Sequence, residues 1–402
     1  MKSMDQTLGL NHRKGRRITD TNKQNKIILI LFTIIMIVTG ISDSLRGGFS
    51  PVFAEHFQIN ATKVSLIISV SYVGNLFFLF FGGKFVDSYS KKKVLTAITL
   101  LWMFALLIYI MTDSYFFLVF GMFFSMGAST LLSTTINVLI PFIFLTPGLV
   151  INVLNFTQGL GVSGCQKFLS PIANGYSAWK YINLGLLLVG IICLILTQCI
   201  KFPQEQAKVK PSVKKSVMGY KVFPYLVFVF GFYFIAEHGL MNWLVSYGSK
   251  HLGYSVSKSA TYLSVFFALI TVGRLLFAPF VNKIGALKSL LIFSSIGGVL
   301  YIFGILTGMK GLWLVSLSGI GFSILYPTLV LMIRHYYEED LIGSATGKVI
   351  SIATFFDIGF NLIFGKAVDL VGYSIAILIL PVSMACFCGM LFVTIHKNHP
   401  IR

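Results

Sequence analysis

Long apolar runs, separated by short polar interruptions, fill most of the 402-residue chain. A helix that crosses the hydrocarbon core of a bilayer needs about 20 mainly apolar residues. A scan at that length predicts twelve such helices, and therefore an all-α membrane protein. The predicted segments are 27–46 (ending as late as 56), 64–83, 93–111, 115–138, 148–172, 180–200, 222–245, 257–279, 286–307, 312–334, 344–365 and 372–394.

Two polar stretches divide this pattern into halves. The first 26 residues are polar and basic, and residues 201–221 form the only other long polar interruption between spans. We therefore expect an N-terminal tail (1–26), a six-helix bundle (27–200), a linker (201–221), a second six-helix bundle (222–395) and a C-terminal tail (396–402).

The positions of the basic residues predict the orientation of the chain. Lysine and arginine collect in the cytoplasmic loops of membrane proteins. Placing the N-terminus inside also puts Lys84, residues 91–93, the lysines of the linker, Lys283 and Lys288 inside. We expect a multi-pass protein of the cell membrane with both termini in the cytoplasm.

Composition agrees with a membrane protein. Residues are 56% hydrophobic and only 11% charged, whereas a soluble domain carries roughly 25% charged residues. The net charge of +19 is explained by basic residues in the cytoplasmic loops, so no nucleic-acid partner is expected.

No cysteine has metal-ligand spacing with a histidine, and no Walker, H-E-x-x-H or G-x-S-x-G signature stands out. We expect neither enzymatic activity nor a metal.

The two halves repeat weakly. "KFVDSYSKKK" ends the second span and "PFVNKIGALKS" ends the eighth, and superposing their Phe-Val pairs gives an offset of 195 residues. The same offset carries Asp43 of span one onto His238 of span seven, next to Glu237. Two pseudo-symmetric bundles are typical of transporters that bind substrate near the midplane.

The segment "GGKFVDSYSKKK" (82–93) resembles the loop between spans two and three of the major facilitator superfamily, G-x-x-x-D-[RK]-x-G-[RK]-[RK]. Gly83, Asp87, Lys91 and Lys92 fit this motif, and serines replace a basic residue and the second glycine. A glycine allows close helix approach, and the acid can cap a neighbouring helix or pair with a base. These residues are candidate gating residues; the alternative is a simple positive-inside anchor.

Further blocks are similar to the fucose/glucose/galactose permease branch of that superfamily. They include "GISDSLRGGFSPVFAEHFQIN" and "GFYFIAEHGLMNWLVSYGSKHLGYS". The resemblance implies the major facilitator fold and proton-coupled sugar uptake by alternating access, with the proton gradient as energy source and no cofactor. In that branch an acid of span one, matched here by Asp43, is linked to proton coupling. Ser133 stands where the fucose permeases have a glutamate, and Asn137 matches their following asparagine.

Three acids lie near the middle of predicted spans: Asp43, Glu237 and Asp357. A charged carboxylate in hydrocarbon is costly, and protonation removes that cost, so each is a candidate proton-coupling residue. The alternative for Asp43 is a structural ion pair with Arg46 or Lys167.

The other two acids have structural alternatives as well. Glu237 could be held by a hydrogen bond to the backbone or to His238. Asp357 could pack against Asn361 or Asn75. Arg274, which follows a glycine in span eight, is a candidate gating or anchoring residue.

A sugar needs hydrogen-bonding groups and an aromatic surface. Polar and aromatic residues on spans two, four, five and seven supply candidates, although such residues also join helices to one another. Trp243, the aromatic candidate of span seven, could instead lie in the belt of aromatic residues at the membrane interface. The candidate substrate-binding residues are Tyr72, Asn75, Ser133, Asn137, Asn155, Gln158, Gln166, Asn242 and Trp243.

Two other functions stay open. An efflux carrier of the same fold could use some of the 38 phenylalanines to line an apolar cavity. Span five counts against this function, because it reads "GVSGCQKFLSP" and lacks the G-x-x-x-G-P exporter pattern. A non-transporting nutrient receptor is disfavoured by the short loops. The expected partners are a small-molecule substrate and the lipid bilayer, and the chain is expected to act as a monomer.

The motif generates one prediction. Asp87→Ala should slow transport without removing solute binding, because a gate residue stabilises one conformation rather than contacting the solute. Uptake rate and equilibrium solute binding should be measured together, with Ser88→Ala as the control. A lost binding signal in Asp87→Ala would contradict the gate assignment.

Overall fold

The computed structural model describes the backbone of residues 4–172, 175–200, 202, 216–339 and 341–398, and the side chains of those residues except 4–23, 83–88 and 171. Thirteen α-helices occur in these ranges. They are α1 (Met4–His56), α2 (Ala61–Ser88), α3 (Lys91–Met111), α4 (Tyr115–Ile143), α5 (Pro147–Gly164), α6 (Tyr176–Cys199), α7 (Phe223–Lys250), α8 (Val256–Ile284), α9 (Ala286–Leu306), α10 (Leu312–Phe322), α11 (Leu325–Tyr336), α12 (Ile342–Ala376) and α13 (Ile379–Lys397).

The helices confirm the predicted all-α membrane architecture. Eleven segments of the described chain are long and apolar enough to cross a membrane, and α10 and α11 together form one of them, Gly308–Tyr336. The twelfth predicted span, 148–172, is the helix α5, which has only 18 residues and continues through a π-turn (Cys165–Leu169) and a 3-10 turn (Ser170–Ile172). Most of the predicted linker lies outside the described residues, so its limits stay a prediction.

Two apolar cores hold the helices together. The first joins α1 to α6 and contains the buried rings of Phe32, Trp102 and Trp179. The second joins α7 to α13 around Tyr233 and Phe322, and it also takes in a few residues of α2. Many large apolar side chains outside these cores remain exposed, as expected for helices that face lipid.

The two bundles touch along three helix pairs: α2 with α12, α1 with α7, and α5 with α8. Among the described residues, side-chain hydrogen bonds also join the two bundles. These bonds are found from the middle of the helices to one end of the bundles and, in the described part of the chain, not toward the other end. Ser163 and Ser264, for example, each donate a hydroxyl to the other's carbonyl oxygen, at 3.1 and 2.9 Å. We call the end with the α1–α2 and α7–α8 turns the closed end, and the other the opposite end.

Within the first bundle, α1 and α5 approach so closely that glycine is required on both. A Cβ atom at Gly161 would collide with the carbonyl oxygen of Ile37, and one at Gly40 would collide with the carbonyl oxygen of Gln158. Small residues that let two helix backbones approach are typical of packing in membranes. This contact fixes α5 against α1 near the middle of the bundle.

Gly161→Ala should therefore destabilise the protein by about 1–3 kcal/mol, as overpacking of a well-packed contact does. Gly164→Ala is the matched control on the same helix, because a Cβ there has no neighbour within 4 Å. The measurement is thermal unfolding in detergent. Equal midpoints for the two variants would show that the α1–α5 contact can relax at no cost.

Candidate functional site

Arg46 lies at the centre of the contact between the bundles. Its side chain is buried, with 2% exposed. Nε donates to Oδ1 of Asn242 at 3.2 Å, and Nη1 donates to Oγ of Ser71 at 2.9 Å. The guanidinium carbon lies 4.5 Å from the ring centroid of Tyr72, within range of a cation–π interaction. One side chain of α1 thus binds α2 of its own bundle and α7 of the other.

Two predicted substrate-binding residues, Tyr72 and Asn242, belong to this arrangement. The amide of Asn242 accepts from Arg46 and donates through Nδ2 to the Tyr72 hydroxyl at 3.2 Å. Both side chains are buried. In this conformation they join the bundles to each other.

Asp43 lies three residues before Arg46 and is half-buried. Its Oδ2 accepts a hydrogen bond from the Ser129 hydroxyl at 2.9 Å. Ion pairs within the described part of the chain do not include Asp43, and Lys167 is exposed. Neither ion pair of the structural alternative, with Arg46 or with Lys167, is therefore formed, and the carboxylate has a neutral hydroxyl as its hydrogen-bond donor.

Asp357 pairs with His238. Its Oδ2 lies 2.8 Å from Nδ1 of the imidazole, while its Oδ1 is buried without a hydrogen-bond partner. The imidazole stacks between the rings of Tyr72 (centroids 5.7 Å apart) and Phe234 (5.1 Å). Asn361 donates to the backbone carbonyl of Asp357 at 2.8 Å rather than to its carboxylate.

His238 is therefore a site residue that the sequence did not single out by itself. Its signal was the repeat: the offset of 195 residues places it at the position in α7 that corresponds to Asp43 in α1. Both positions lie near the middle of their membrane-spanning segments, and His238 contacts Tyr72 of the other bundle. A chain of contacts runs from Arg46 through Asn242 and Tyr72 to His238. Asp43 lies three residues before Arg46 and forms no ion pair with it.

Trp243 is fully buried between α7 and α12. Its Nε1 donates to Oδ1 of Asn361 at 2.8 Å, and its ring packs on Phe364 with centroids 4.7 Å apart. The residue does not lie at an exposed belt position. A substrate contact by this ring stays a prediction.

Glu237 is buried in the second bundle, with 8% exposed, and lies near Tyr233, Tyr301 and Tyr326. The Tyr301 hydroxyl donates to the backbone carbonyl of Ala236, the residue before Glu237, at 2.7 Å. Arg274 of α8 lies near two of these tyrosines, Tyr233 and Tyr326, and its Nε is buried without a hydrogen-bond partner.

Unpartnered polar atoms mark α2 and α4. Oδ1 of Asn75, Oγ of Ser133 and Oδ1 of Asn137 are buried and have no hydrogen-bond partner. On α4, Ser129, Ser133 and Asn137 are spaced four residues apart and so share one helix face, the face that contacts Asp43. Because most buried polar atoms in proteins are hydrogen-bonded, this face is the best candidate for contacts with a polar ligand.

The three candidates on α5 differ in their surroundings. Asn155 and Gln158 are half-buried. Gln166 is fully buried in the π-turn, where its Nε2 donates to the Ser44 carbonyl oxygen at 3.0 Å and its Oε1 accepts from Ser170 at 3.2 Å. In this conformation Gln166 fastens the π-turn to α1.

The candidate gating motif lies partly outside the described side chains, which do not include Gly83 and Asp87. Lys92 contacts carbonyl oxygens at the end of α6, those of Gln198 at 2.5 Å and Ile200 at 3.3 Å. Lys91 is buried. A cation at a helix C-terminus is stabilising, so Lys92 anchors α6 within its own bundle here, and the gating role of the motif stays a prediction.

The His238–Asp357 pair generates a prediction about stability. His238→Phe keeps a ring between Tyr72 and Phe234 but leaves the Asp357 carboxylate without its partner, and removing one member of a buried pair costs about 3–5 kcal/mol. The double variant His238→Phe/Asp357→Leu should recover most of this loss. Thermal unfolding of wild type, both single variants and the double variant measures the coupling, and additive effects would show that the pair contributes nothing.

Comparison with known proteins agrees with this arrangement. Residues 32–355 match the profile of the Major Facilitator Superfamily, whereas comparison with curated proteins gives no significant match. Several solved structures share the fold.

Three of these structures show the extent of the likeness. The xylose transporter of E. coli in its inward-open conformation has a TM-score of 0.74 at 12% identity, over 91% of this chain and 95% of that chain. A bacterial homologue of the human lysosomal transporter Spinster, inward-facing and occupied, has a TM-score of 0.70 at 12% identity, over 92% of this chain and 95% of that chain. The E. coli fucose:proton symporter has a TM-score of 0.64 at 17% identity, over 92% of this chain and 99% of that chain. The profile match covers most of the chain, so this protein belongs to the Major Facilitator Superfamily and is a transporter rather than an enzyme.

Proposed function

We propose that the protein moves a small polar solute, a sugar or a related metabolite, across the membrane by alternating access coupled to protons. The observation that carries this proposal is the polar network at mid-depth between the bundles. It contains acids, a buried guanidinium and an imidazole, and unpartnered polar atoms lie beside it. Sugar:proton symporters among the similar structures support the same reading.

The proposed orientation makes this conformation inward-facing. Residues 91–93, Lys283 and Lys288 lie at the opposite end, which the positive-inside rule assigns to the cytoplasm. The hydrogen bonds that described side chains form between the two bundles then lie between mid-depth and the outer face. Two of the similar structures, the xylose transporter and the Spinster homologue, were also solved facing inward.

The unpartnered atoms favour a solute with hydroxyl groups. Asn75, Ser133 and Asn137 together offer amide and hydroxyl groups that both donate and accept. A site that hydrogen-bonds a substrate hydroxyl discriminates strongly against analogues that lack it. This chemistry favours a polar solute over the amphipathic compounds of an efflux carrier.

Proton coupling is proposed to act through Asp43 on Arg46. The negative charge of Asp43 lies three residues from the guanidinium that holds Ser71 and Asn242. Protonation of Asp43 removes that charge and changes the electrostatic balance at Arg46, the side chain of α1 that, among the described residues, hydrogen-bonds a side chain of α7. Gain or loss of a proton would thereby alter the contact between the bundles. Asp357 and Glu237 are the further candidate coupling acids.

The test is radiolabelled uptake into proteoliposomes with an imposed pH gradient, over a panel of sugars, amino acids and cationic dyes. We expect concentrative uptake of a sugar-like compound that an uncoupler abolishes. Accumulation of dyes alone would support the efflux carrier. Binding of a solute without movement would support the receptor.

Replacing Asp43 by Asn should abolish proton-driven accumulation and spare solute exchange, because the amide keeps the shape of the side chain but cannot release a proton. Glu237→Gln should weaken solute binding or coupling. Asp113→Asn is the control, since this acid is exposed and pairs with Lys180 inside one bundle. Unchanged accumulation in Asp43→Asn would reject its coupling role, and wild-type kinetics in Glu237→Gln would leave that residue a structural one.

A further inference from the structure

An acid of the second bundle binds the start of a helix of the first at the closed end. Oδ1 of Asp369, on α12, accepts from the backbone N–H of Ala61 at 3.0 Å, and Oδ2 accepts from the backbone N–H of Thr62 at 2.8 Å. Oδ2 also accepts from the Thr62 hydroxyl. Three hydrogen bonds therefore join residues more than 300 positions apart in the chain.

These bonds complete the N-terminus of α2. The first backbone N–H groups of a helix have no partner within the helix. The side chain of Asn60 accepts from the N–H of Lys63 at 3.1 Å, which leaves the N–H groups of Ala61 and Thr62 to be satisfied from elsewhere. Asp369 supplies both acceptors, and its negative charge lies at the positive end of the α2 dipole. The first turn of α2 is thus fully hydrogen-bonded only while the two bundles are together.

The packing one turn along α12 places Asp369 at this position. A Cβ atom on Gly365 would collide with the side chain of Ser65 and lie 2.6 Å from the carbonyl oxygen of Ala61. Farther along the pair, the Ser69 hydroxyl donates to the Ile358 carbonyl oxygen at 3.3 Å. The helices α2 and α12 therefore touch backbone to backbone, and the Asp369 carboxylate closes the outer end of this contact.

The corresponding helix of the second bundle does not depend on the first bundle in this way. The helix α8 is capped by its own Ser255, whose hydroxyl accepts from the N–H of Lys258 at 3.1 Å. Asp113, another exposed acid at the closed end, pairs with Lys180 and His56 of its own bundle. Within the described chain, Asp369 is the acid that hydrogen-bonds across the bundles at this end.

We infer that Asp369 is a positioning residue of the transport cycle, which holds the closed end shut by capping α2 from the opposite bundle. The inference rests on the alternating-access cycle proposed above. When this end opens, the N–H groups of Ala61 and Thr62 pass to water and the cap is lost. Because the carboxylate is exposed, water competes for it at once, so the cap can be broken and remade in every cycle.

The test follows the opening of the closed end directly. Met111, at the end of α3, and Lys310, in the turn before α10, are exposed at this end on different bundles. Cysteines at these two positions, in a variant without the five native cysteines, carry spin labels whose separation is measured by pulsed double electron–electron resonance in lipid nanodiscs. The reporter needs neither solute nor a proton gradient, so it gives an answer even if the proposed solute or coupling is wrong.

Loss of an N-cap contact typically changes a helix equilibrium by about five- to tenfold. Asp369→Ala removes the cap and should raise the ratio of long to short label separations by about that factor. Asp369→Asn loses the charge but keeps an amide oxygen that can accept one of the bonds, so it should raise the ratio less, and Asp113→Asn should leave it unchanged. Unchanged separations in both Asp369 variants would overturn the inference, and so would an equal shift in Asp113→Asn.

Transport kinetics give a second readout. A protein biased toward opening at the outer face should show a lower KM for external solute and a lower maximal rate, because closing becomes slower. A merely misfolded fraction would lower the maximal rate and leave the KM unchanged. That outcome, together with wild-type label separations in the folded fraction, would also reject the role of Asp369.

Discussion

The polar contact between the two halves at mid-depth is organised around one buried cation, the guanidinium of Arg46. A charged group at mid-depth in a membrane protein is costly unless it is surrounded by partners. Here the partners come from both bundles: Ser71 and the ring of Tyr72 on one side, and Asn242 on the other. Planar arginine can hold several such partners at fixed angles, which a lysine cannot. The rest of the central network, including His238 and Asp357, is arranged around Tyr72 and Asn242.

The contacts between the bundles differ in kind from those within them. Inside each bundle, large aromatic and aliphatic side chains interdigitate in an apolar core. Away from Arg46 and Asn242, the hydrogen bonds between the bundles in the described part of the chain use serine hydroxyls, backbone carbonyls and a helix cap, as at Ser163, Ser264 and Asp369. Each of these groups can exchange its partner for water at a small net cost. Such an interface can separate while the bundles stay intact, which is what rigid-body rocking requires.

Much of this architecture could be predicted from the sequence. The spans, the all-α fold and the superfamily followed from apolar length and from the motif that contains Asp87, and the structure and the profile match confirm them. The helix ends were less well predicted. Span five, for example, changes to a π-turn after Gly164, and within this turn Gln166 binds α1. At the site, the acids at mid-depth could be found from the sequence, whereas the importance of His238 and Asp369 could not. The structure also shows that Asp43 forms neither of the ion pairs that were its structural alternative.

The sequence by itself determined where the membrane helices lie and which of them carry ionisable groups, because hydrocarbon imposes a length and a composition on every span. Only the tertiary structure decided which groups meet. The partners of Arg46, Asp357 and Asp369 are 25 to 308 residues away in the chain. Whether they touch depends on how each helix is rotated about its axis and which glycines admit a neighbouring backbone, and these are set by packing rather than by local sequence.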